Sequence, residues 1–344
     1  MSSTQSTHNH MLRYTAAILS AALMAACSSD EPSNAPDKDA VEVSLVLSVE
    51  DPLATRASGD TWADYTPKDP GTTEENAINP NDIQIKVCDG TGKLIANVEG
   101  ITMKRIGDTQ YNITGVWRDS ADKLWRAKKL MVLANCGEEA RSADYADASF
   151  LLSNAQTYIP MWGVAPLTDL KLGKSNQVGT VDMLRAMAKV SVHLRSDMAE
   201  KGYTIEKLSL NDLNASGYCL PALYYTVDQT RDLPFKGSLH VLDSRVAERD
   251  FTQTGYTYVP EYDNTSASAV PSTVSVSLSH NGSHEGTYTL EFRNYDSDGA
   301  PSGTPYDIQR NHHYQYTIYK SDDRVIVTLH VRQWNRREHE DVIM

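Results

Sequence analysis

His280 and His284 stand four residues apart, with Glu285 beside the second. On a helix that spacing would turn two imidazoles toward one metal ion. Asn281-Gly282-Ser283 lie between them, and these residue types mark a turn, which points the rings apart. Asp296-Ser297-Asp298-Gly299 opens like a calcium loop but lacks the closing glutamate, so a turn is expected there too. Gly90-Thr91-Gly92-Lys93 ends like a phosphate-binding loop, yet the earlier glycine is missing and Leu94 follows the lysine instead of Ser or Thr. Asp89 to Gly92 therefore reads as a hairpin turn. His312-His313 opens a strand as a solvated or hydrogen-bonded pair. There is no G-x-S-x-G elbow, no H-E-x-x-H and no cysteine at a helix start. Carboxylates are plentiful, but nothing singles out a pair for glycoside hydrolysis. The expectation is a protein with no catalysis, no metal and no cofactor.

The chemistry the sequence does favour is covalent processing near its N-terminus. Arg13, an apolar run and small residues up to Ala26 form a secretory signal too short to span a bilayer, so residues 1–26 read as a signal peptide. Leu23-Met24-Ala25-Ala26-Cys27 resembles the bacterial lipobox, whose cysteine is acylated and becomes the mature N-terminus. The alternative is ordinary secretion with a free Cys27. Ser28 after the cysteine is similar to the outer-membrane sorting pattern, and the acidic residues just beyond resemble the surface-export signal of Bacteroidetes lipoproteins. Residues 27–40 are polar, acidic and proline-containing, and read as a disordered tether. No later run approaches the roughly 18 apolar residues of a membrane span. The expected location is the outer membrane at the cell surface, anchored through lipid on Cys27 rather than spanning.

The elements beyond the tether are mostly strands. Val41, Val43, Leu45, Leu47 and Val49 alternate with Glu42, Ser44 and Ser48, the pattern of a half-buried strand. A polar loop containing Thr55-Arg56-Ala57 follows directly. Ile83–Cys88 turns at DGTG into a returning partner over Lys93–Val98, and Tyr111–Val116 and Leu130–Ala134 are further strands. Short helix-prone pieces fall around Ser120–Ala127 and Ala140–Asn154. From residue 181, VDMLRAMAKVSVHL alternates again. Ile205–Leu210, Tyr256–Pro260, Val274–Leu278, Tyr288–Phe292, Tyr314–Tyr319 and Val325–Trp334 follow, separated by turn clusters. Short alternating strands without βαβ spacing predict an all-β chain of antiparallel sandwiches. The length allows two domains, placed at 41–177 and 178–344, with LTDLKLGKSNQVGT as the link between them. A net charge of −13 argues against nucleic acid or an anionic membrane surface as partner. Cys88, Cys136 and Cys219 form neither a disulfide framework nor a zinc pattern; three buried thiols are expected rather than one bridge and one thiol.

Several stretches in order resemble the fimbrillin family of Bacteroidetes, the subunits of type V pili. They are the lipobox through Cys27, the alternating strand followed by Thr55-Arg56-Ala57, and Ile159-Pro160-Met161-Trp162-Gly163. Leu184-Arg185-Ala186-Met187-Ala188-Lys189-Val190, Arg310-Asn311-His312-His313-Tyr314-Gln315-Tyr316-Thr317-Ile318 and Val331-Arg332-Gln333-Trp334 complete them. The resemblance implies two transthyretin-like β-sandwich domains in tandem and a structural job. It also implies a mechanism. The subunit reaches the outer membrane as a lipoprotein, an arginine-specific protease cuts between Arg56 and Ala57, and the lipidated piece leaves. Another pilus subunit then fills the vacated groove with an extended segment.

Removing 41–49 would uncover five apolar side chains, each worth about 1.5–3 kcal/mol when buried, and orphan a row of backbone donors and acceptors. Such a groove accepts a strand, as in donor-strand complementation. A donor needs the same period-two pattern, which Val325, Val327, Leu329 and Val331 supply; the tail REHEDVIM alternates only weakly. If Arg56 stays uncut, the strand stays and the protein remains tethered, as a pilus anchor would. Stalk, tip and anchor roles thus depend on one bond. The rival expectations are a surface glycan-binding lipoprotein, favoured by aromatics exposed on one platform, and a tip adhesin carrying a site for a host or bacterial surface ligand.

Overall fold

Alternation of apolar and polar residues produces strands throughout, and these stack into two sandwiches in series. A computed structural model describes residues 38–49, 71–118, 121–138, 140, 148–153, 156–220, 245–265, 270–321 and 324–333. In the first sandwich one sheet has the order β4 (Glu99–Arg105), β5 (Gln110–Trp117), β1 (Val41–Ser48), β9 (Ser175–Asp182). The facing sheet runs β10 (Leu184–Arg185), β8 (Met161–Pro166), β6 (Lys129–Ala134), β2 (Ile83–Cys88), β3 (Leu94–Asn97). Their inner faces share one core, in which Val43, Leu45 and Leu47 join Ile85, Val132 and Trp162.

The second sandwich repeats the plan. One sheet has the order β15 (Tyr256–Val259), β11 (Ala188–Leu194), β20 (His312–Ser321), β21 (Arg324–Gln333). The other runs β14 (Arg245–Asp250), β12 (Tyr203–Asn214), β16 (Thr273–His280), β17 (Ser283–Glu291). A separate core built on Val190, Leu210, Val276, Tyr314, Tyr316 and Leu329 lies between them. Two small pairs, β7 (Ser149–Leu151) with β13 (Ser216–Tyr218) and β18 (Asn294–Tyr295) with β19 (Pro301–Ser302), complete the strands among the described residues. A single turn of helix, α1 (Ser196–Glu200), links β11 to β12. From Asp39 onward the chain forms one compact unit.

The sequence predicts an all-β chain, and the structure is one, with differences of detail. Among the described residues the sheets are antiparallel except at two places: β1 pairs in parallel with β9, and β11 with β20. The second half of the expected link is β9, so a strand continues through 177/178. Its sequence, SNQVGTVD, carries little apolar alternation because one of its faces is largely exposed. The run from 181 is not one strand: it ends β9, passes through β10 and restarts as β11, in three different ladders. Of the helix-prone pieces, the first holds, among its described residues, only a 3-10 turn at Leu124–Arg126. The second contains β7, because Phe150 is buried and Ser149–Leu151 finds a ladder in the distant β13; residues 141–147 and 154–155 lie outside the described residues.

At Gly163, β8 passes close against the end of β9. A Cβ there would lie 2.7 Å from the Asp182 carbonyl oxygen and from Met183 Sδ, and 2.8 Å from Val181 Cγ1. Only glycine lets β8 pass the end of β9 at that distance.

Candidate functional site

β1 is an interior strand held on both edges. Val41, Val43, Leu45, Leu47 and Val49 are each no more than 2% exposed. Along its whole length β1 runs antiparallel to β5, from Val41 opposite Trp117 to Ser48 opposite Gln110. Its other edge runs parallel to β9, from Glu42 beside Ser175 to Ser48 beside Asp182, with an irregularity after Ser44. Gly179, at φ +95°, lies at that irregularity. The ends are fastened as well. Gly173 N–H donates to Ala40 O at 2.8 Å, and Met183 N–H donates to Ser48 O at 2.8 Å. Val49 N–H donates to Thr109 O at 3.0 Å, and Asn176 Nδ2–H donates to Glu42 O at 3.1 Å. Because β5 and β9 run in opposite directions, any strand that fills this position pairs antiparallel with one of them and parallel with the other. Arg56 and Ala57, which follow this strand, and Cys27, which precedes it, lie outside the described residues.

Past residues 50–70 the chain is fixed again, at Glu75. Its carboxylate accepts from Lys189 Nζ at 2.7 Å on β11, from Tyr258 OH at 2.6 Å on β15 and from Thr72 N–H at 2.7 Å. Beside it, the fully buried Arg185 guanidinium donates to the Glu75 carbonyl at 3.3 Å, to Asn76 Oδ1 and to Asn311 Oδ1 at 3.4 Å. Burial pushes the Glu75 carboxyl up, but the Lys189 and Tyr258 hydrogen bonds outweigh it and hold the group below its ordinary value. Burial, then the hydrogen bond to Glu75 and the Glu75 charge, push the Tyr258 phenol far up. This knot ties segment 72–76 to strands of both sandwiches. Sequence reasoning missed it, because neither a glutamate in a polar stretch nor one lysine in a strand announces a partner more than a hundred positions away.

Val325, Val327, Leu329 and Val331 lie on β21, which pairs with β20 from Ser321–Arg324 to His312–Gln333. Val327, Leu329 and Val331 are buried in the second core and Val325 packs against it. β21 ends its sheet, with no ladder on its outer edge among the described residues. As placed, it is part of its own sandwich, and donating it would open that core. Residues 334–344, including REHEDVIM, lie outside the described residues.

The other sequence candidates take ordinary roles. His284 Nδ1 meets Glu206 Oε2 at 2.7 Å while His280 stacks on Tyr203, so the two rings serve different partners across the β16–β17 turn. Asp296 Oδ1 accepts from the N–H groups of Asp298 and Ala300, closing a turn. Asp89 Oδ1 does the same for Thr91 and Lys93. His312 and His313 are buried, bonded to Arg310 O and Ser191 Oγ. No cluster of metal-binding side chains occurs among the described residues. Cys88, Cys136 and Cys219 are all free and buried. No helix among the described residues is long and apolar enough to cross a membrane. Trp125 is 74% exposed on the 3-10 turn. It lines an open cleft of about 680 Å³ with Leu124, Lys128, Thr168 and Asp169. Tyr258 packs into the Glu75 knot, so the tyrosines of β15 do not form a free platform.

The family model described as fimbrillin-A associated anchor proteins Mfa1 and Mfa2 matches residues 135–340. No curated protein matches the chain. Among solved structures, the tip fimbrial protein Mfa3 of Porphyromonas gingivalis, with a C-terminal truncation, is similar at 14% identity and a TM-score of 0.49. That likeness covers 85% of this chain and 100% of the other. A candidate cell adhesion protein from Bacteroides eggerthii is similar at 14% identity and a TM-score of 0.48, covering 88% and 98%. With more than half its length matched, the chain belongs to the fimbrillin-A associated anchor protein family.

Proposed function

We propose that this fimbrial family member is a surface lipoprotein, acylated at Cys27, in which β1 is a removable strand. Cleavage between Arg56 and Ala57 frees β1 from the chain that follows it, and a segment of another pilus subunit takes its place. The observation that carries this reading is the position of β1: interior to its sheet, apolar along one face, and joined along the chain to the strands that follow it through residues 50–70. The Glu75 knot supports it, since segment 72–76 has its own attachments and needs no help from β1 to stay in place.

The same geometry explains why an uncut protein stays tethered. Five buried apolar side chains at about 1.5–3 kcal/mol each, together with two ladders, hold β1 in place while the Arg56–Ala57 bond is intact. A second reading is therefore an anchor subunit in which the Arg56–Ala57 bond survives. The description of the matched family as anchor proteins favours it. Neither reading requires catalysis, metal or cofactor; the partners are neighbouring pilus subunits, the outer-membrane lipid and, for the first reading, an arginine-specific protease.

N-terminal sequencing of the protein taken from cell-surface fibres separates the readings. Ala57 as first residue supports exchange, and acylated Cys27 supports the anchor. Any other start, or absence from the surface, refutes both.

A further inference from the structure

We propose that the cleft beside Trp125 seats an apolar side chain of the neighbouring pilus subunit, next to the slot that β1 fills. The inference rests on the strand replacement proposed above and names a second contact made by the replacing segment. Trp125 is the most exposed of the large apolar side chains among the described residues. Its indole N–H donates to Asp122 O at 3.1 Å, so the ring is held in place and its polar edge is already satisfied. What it offers a partner is a fixed apolar face. Leu124, Ala127, Leu167 and Leu170 line the cleft beside it, and all four belong to the first core or pack against it. Lys128 and Asp169, both exposed, add one charge of each sign. An exposed tryptophan over an apolar pocket with polar surroundings is how a binding hot spot is built.

The place of the cleft identifies its occupant. It lies between the connection from β5 to β6 and the connection from β8 to β9, which join the two sheets at one end of the first sandwich. β1 starts at that end: Val41 is opposite Trp117, the last residue of β5, and Glu42 is beside Ser175, the first of β9. The two connections are tied together by Leu167 N–H, which donates to Lys128 O at 2.8 Å, and the second is tied to the start of β1 by the Gly173–Ala40 bond. A strand that fills the slot in either direction therefore carries one of its flanks past the cleft. The resident strand brings nothing to put there. Residues 28–39 contain no large apolar residue, and Lys38 and Asp39 are exposed. A resident and an incoming strand of the same pattern satisfy the slot alike, so the slot alone cannot favour exchange. Only a contact that one makes and the other lacks shifts the balance. The cleft supplies that difference.

The test compares wild type, Trp125→Phe and Trp125→Ala precursor after cutting with an arginine-specific protease, with a second copy of the chain as the neighbour. Wild type should form SDS-resistant ladders. Ladders of Trp125→Ala should dissociate at least about thirtyfold faster, the loss expected of a hot-spot truncation, and Trp125→Phe should restore most of their persistence. The difference in emission between wild type and Trp125→Phe isolates this indole. It should shift to the blue as ladders form, and stay unchanged when the peptide VEVSLVLSV, which has no flank, fills the slot. Trp125→Ala ladders as persistent as those of wild type, or a difference emission that does not move on assembly, overturn the cleft contact and leave strand replacement standing. Wild type that is cut after Arg56 yet never forms ladders overturns strand replacement, and the cleft contact with it. A blue shift when a polysaccharide is added to uncut protein gives the cleft to a glycan and overturns a subunit as its occupant.

Discussion

Leu45 lies directly opposite Ile113 in the β1–β5 ladder, and neither is more than 1% exposed. Side chains at opposed positions of an antiparallel pair share one face, so these two form part of the contact that holds β1 in its slot. Truncation by Leu45→Ala should destabilise the uncut protein by about 2–5 kcal/mol, through lost burial plus a cavity, as read by denaturant unfolding. After cleavage and replacement of β1 by a donor, the same substitution should have no effect. A penalty that survives exchange would mean that β1 never left.

The Glu75 knot predicts a pH dependence with a defined sign. Because the folded carboxyl lies below its ordinary value of 4.5, its contribution is present above that value and is lost as pH falls through the lower folded value. Stability should therefore drop on acidification below about pH 4.5. Glu75→Gln should remove this component and flatten the profile there. At neutral pH it should cost about 3 kcal/mol, since Lys189 keeps a largely buried charge without its carboxylate. Unfolding midpoints measured across pH for both proteins check each part.

Gly163 offers a sharper steric test. Gly163→Ala places a methyl group within 3 Å of backbone and side-chain atoms at the end of β9, so a loss of about 1–3 kcal/mol is expected from overpacking. The larger Gly163→Val should prevent soluble expression. Thermal unfolding of the alanine variant reads the first, and recovery from the soluble fraction the second.

Trp125 separates a fibre subunit from a glycan-binding protein. Sugar faces stack on exposed aromatic rings, and the cleft beside Trp125 carries the mix of apolar and polar groups found in ligand sites. For a fibre subunit, affinity electrophoresis in a panel of polysaccharides should retard neither the wild type nor Trp125→Ala. The variant should match wild-type stability to within about 0.5 kcal/mol, as an exposed position allows. Retardation of the wild type that the variant loses would favour the rival.

The strands with strong alternation were legible in the sequence nearly to the residue: 41–49 as β1, Ile83–Cys88 as β2, Val325–Trp334 as β21. Local pattern sufficed there because each strand buries one face whatever its neighbours are. What depended on distant partners was not legible. β9 has little apolar alternation and exists because β1 offers it a parallel edge. β7 lies where helix propensity was read, and is a strand because β13 pairs with it and Phe150 is buried. The apolar face of β1 could be read from five residues, but its two-sided pairing, which turns a strand into a slot, could not. The Glu75 knot is a product of packing alone.

The most direct measurement treats purified precursor with an arginine-specific protease, with and without excess synthetic peptide VEVSLVLSV. A product beginning at Ala57 that forms SDS-resistant ladders, suppressed by the peptide as it refills the slot, is predicted. Cut protein that stays strictly monomeric, with its 41–49 segment retained and indifferent to added peptide, would contradict a removable first strand.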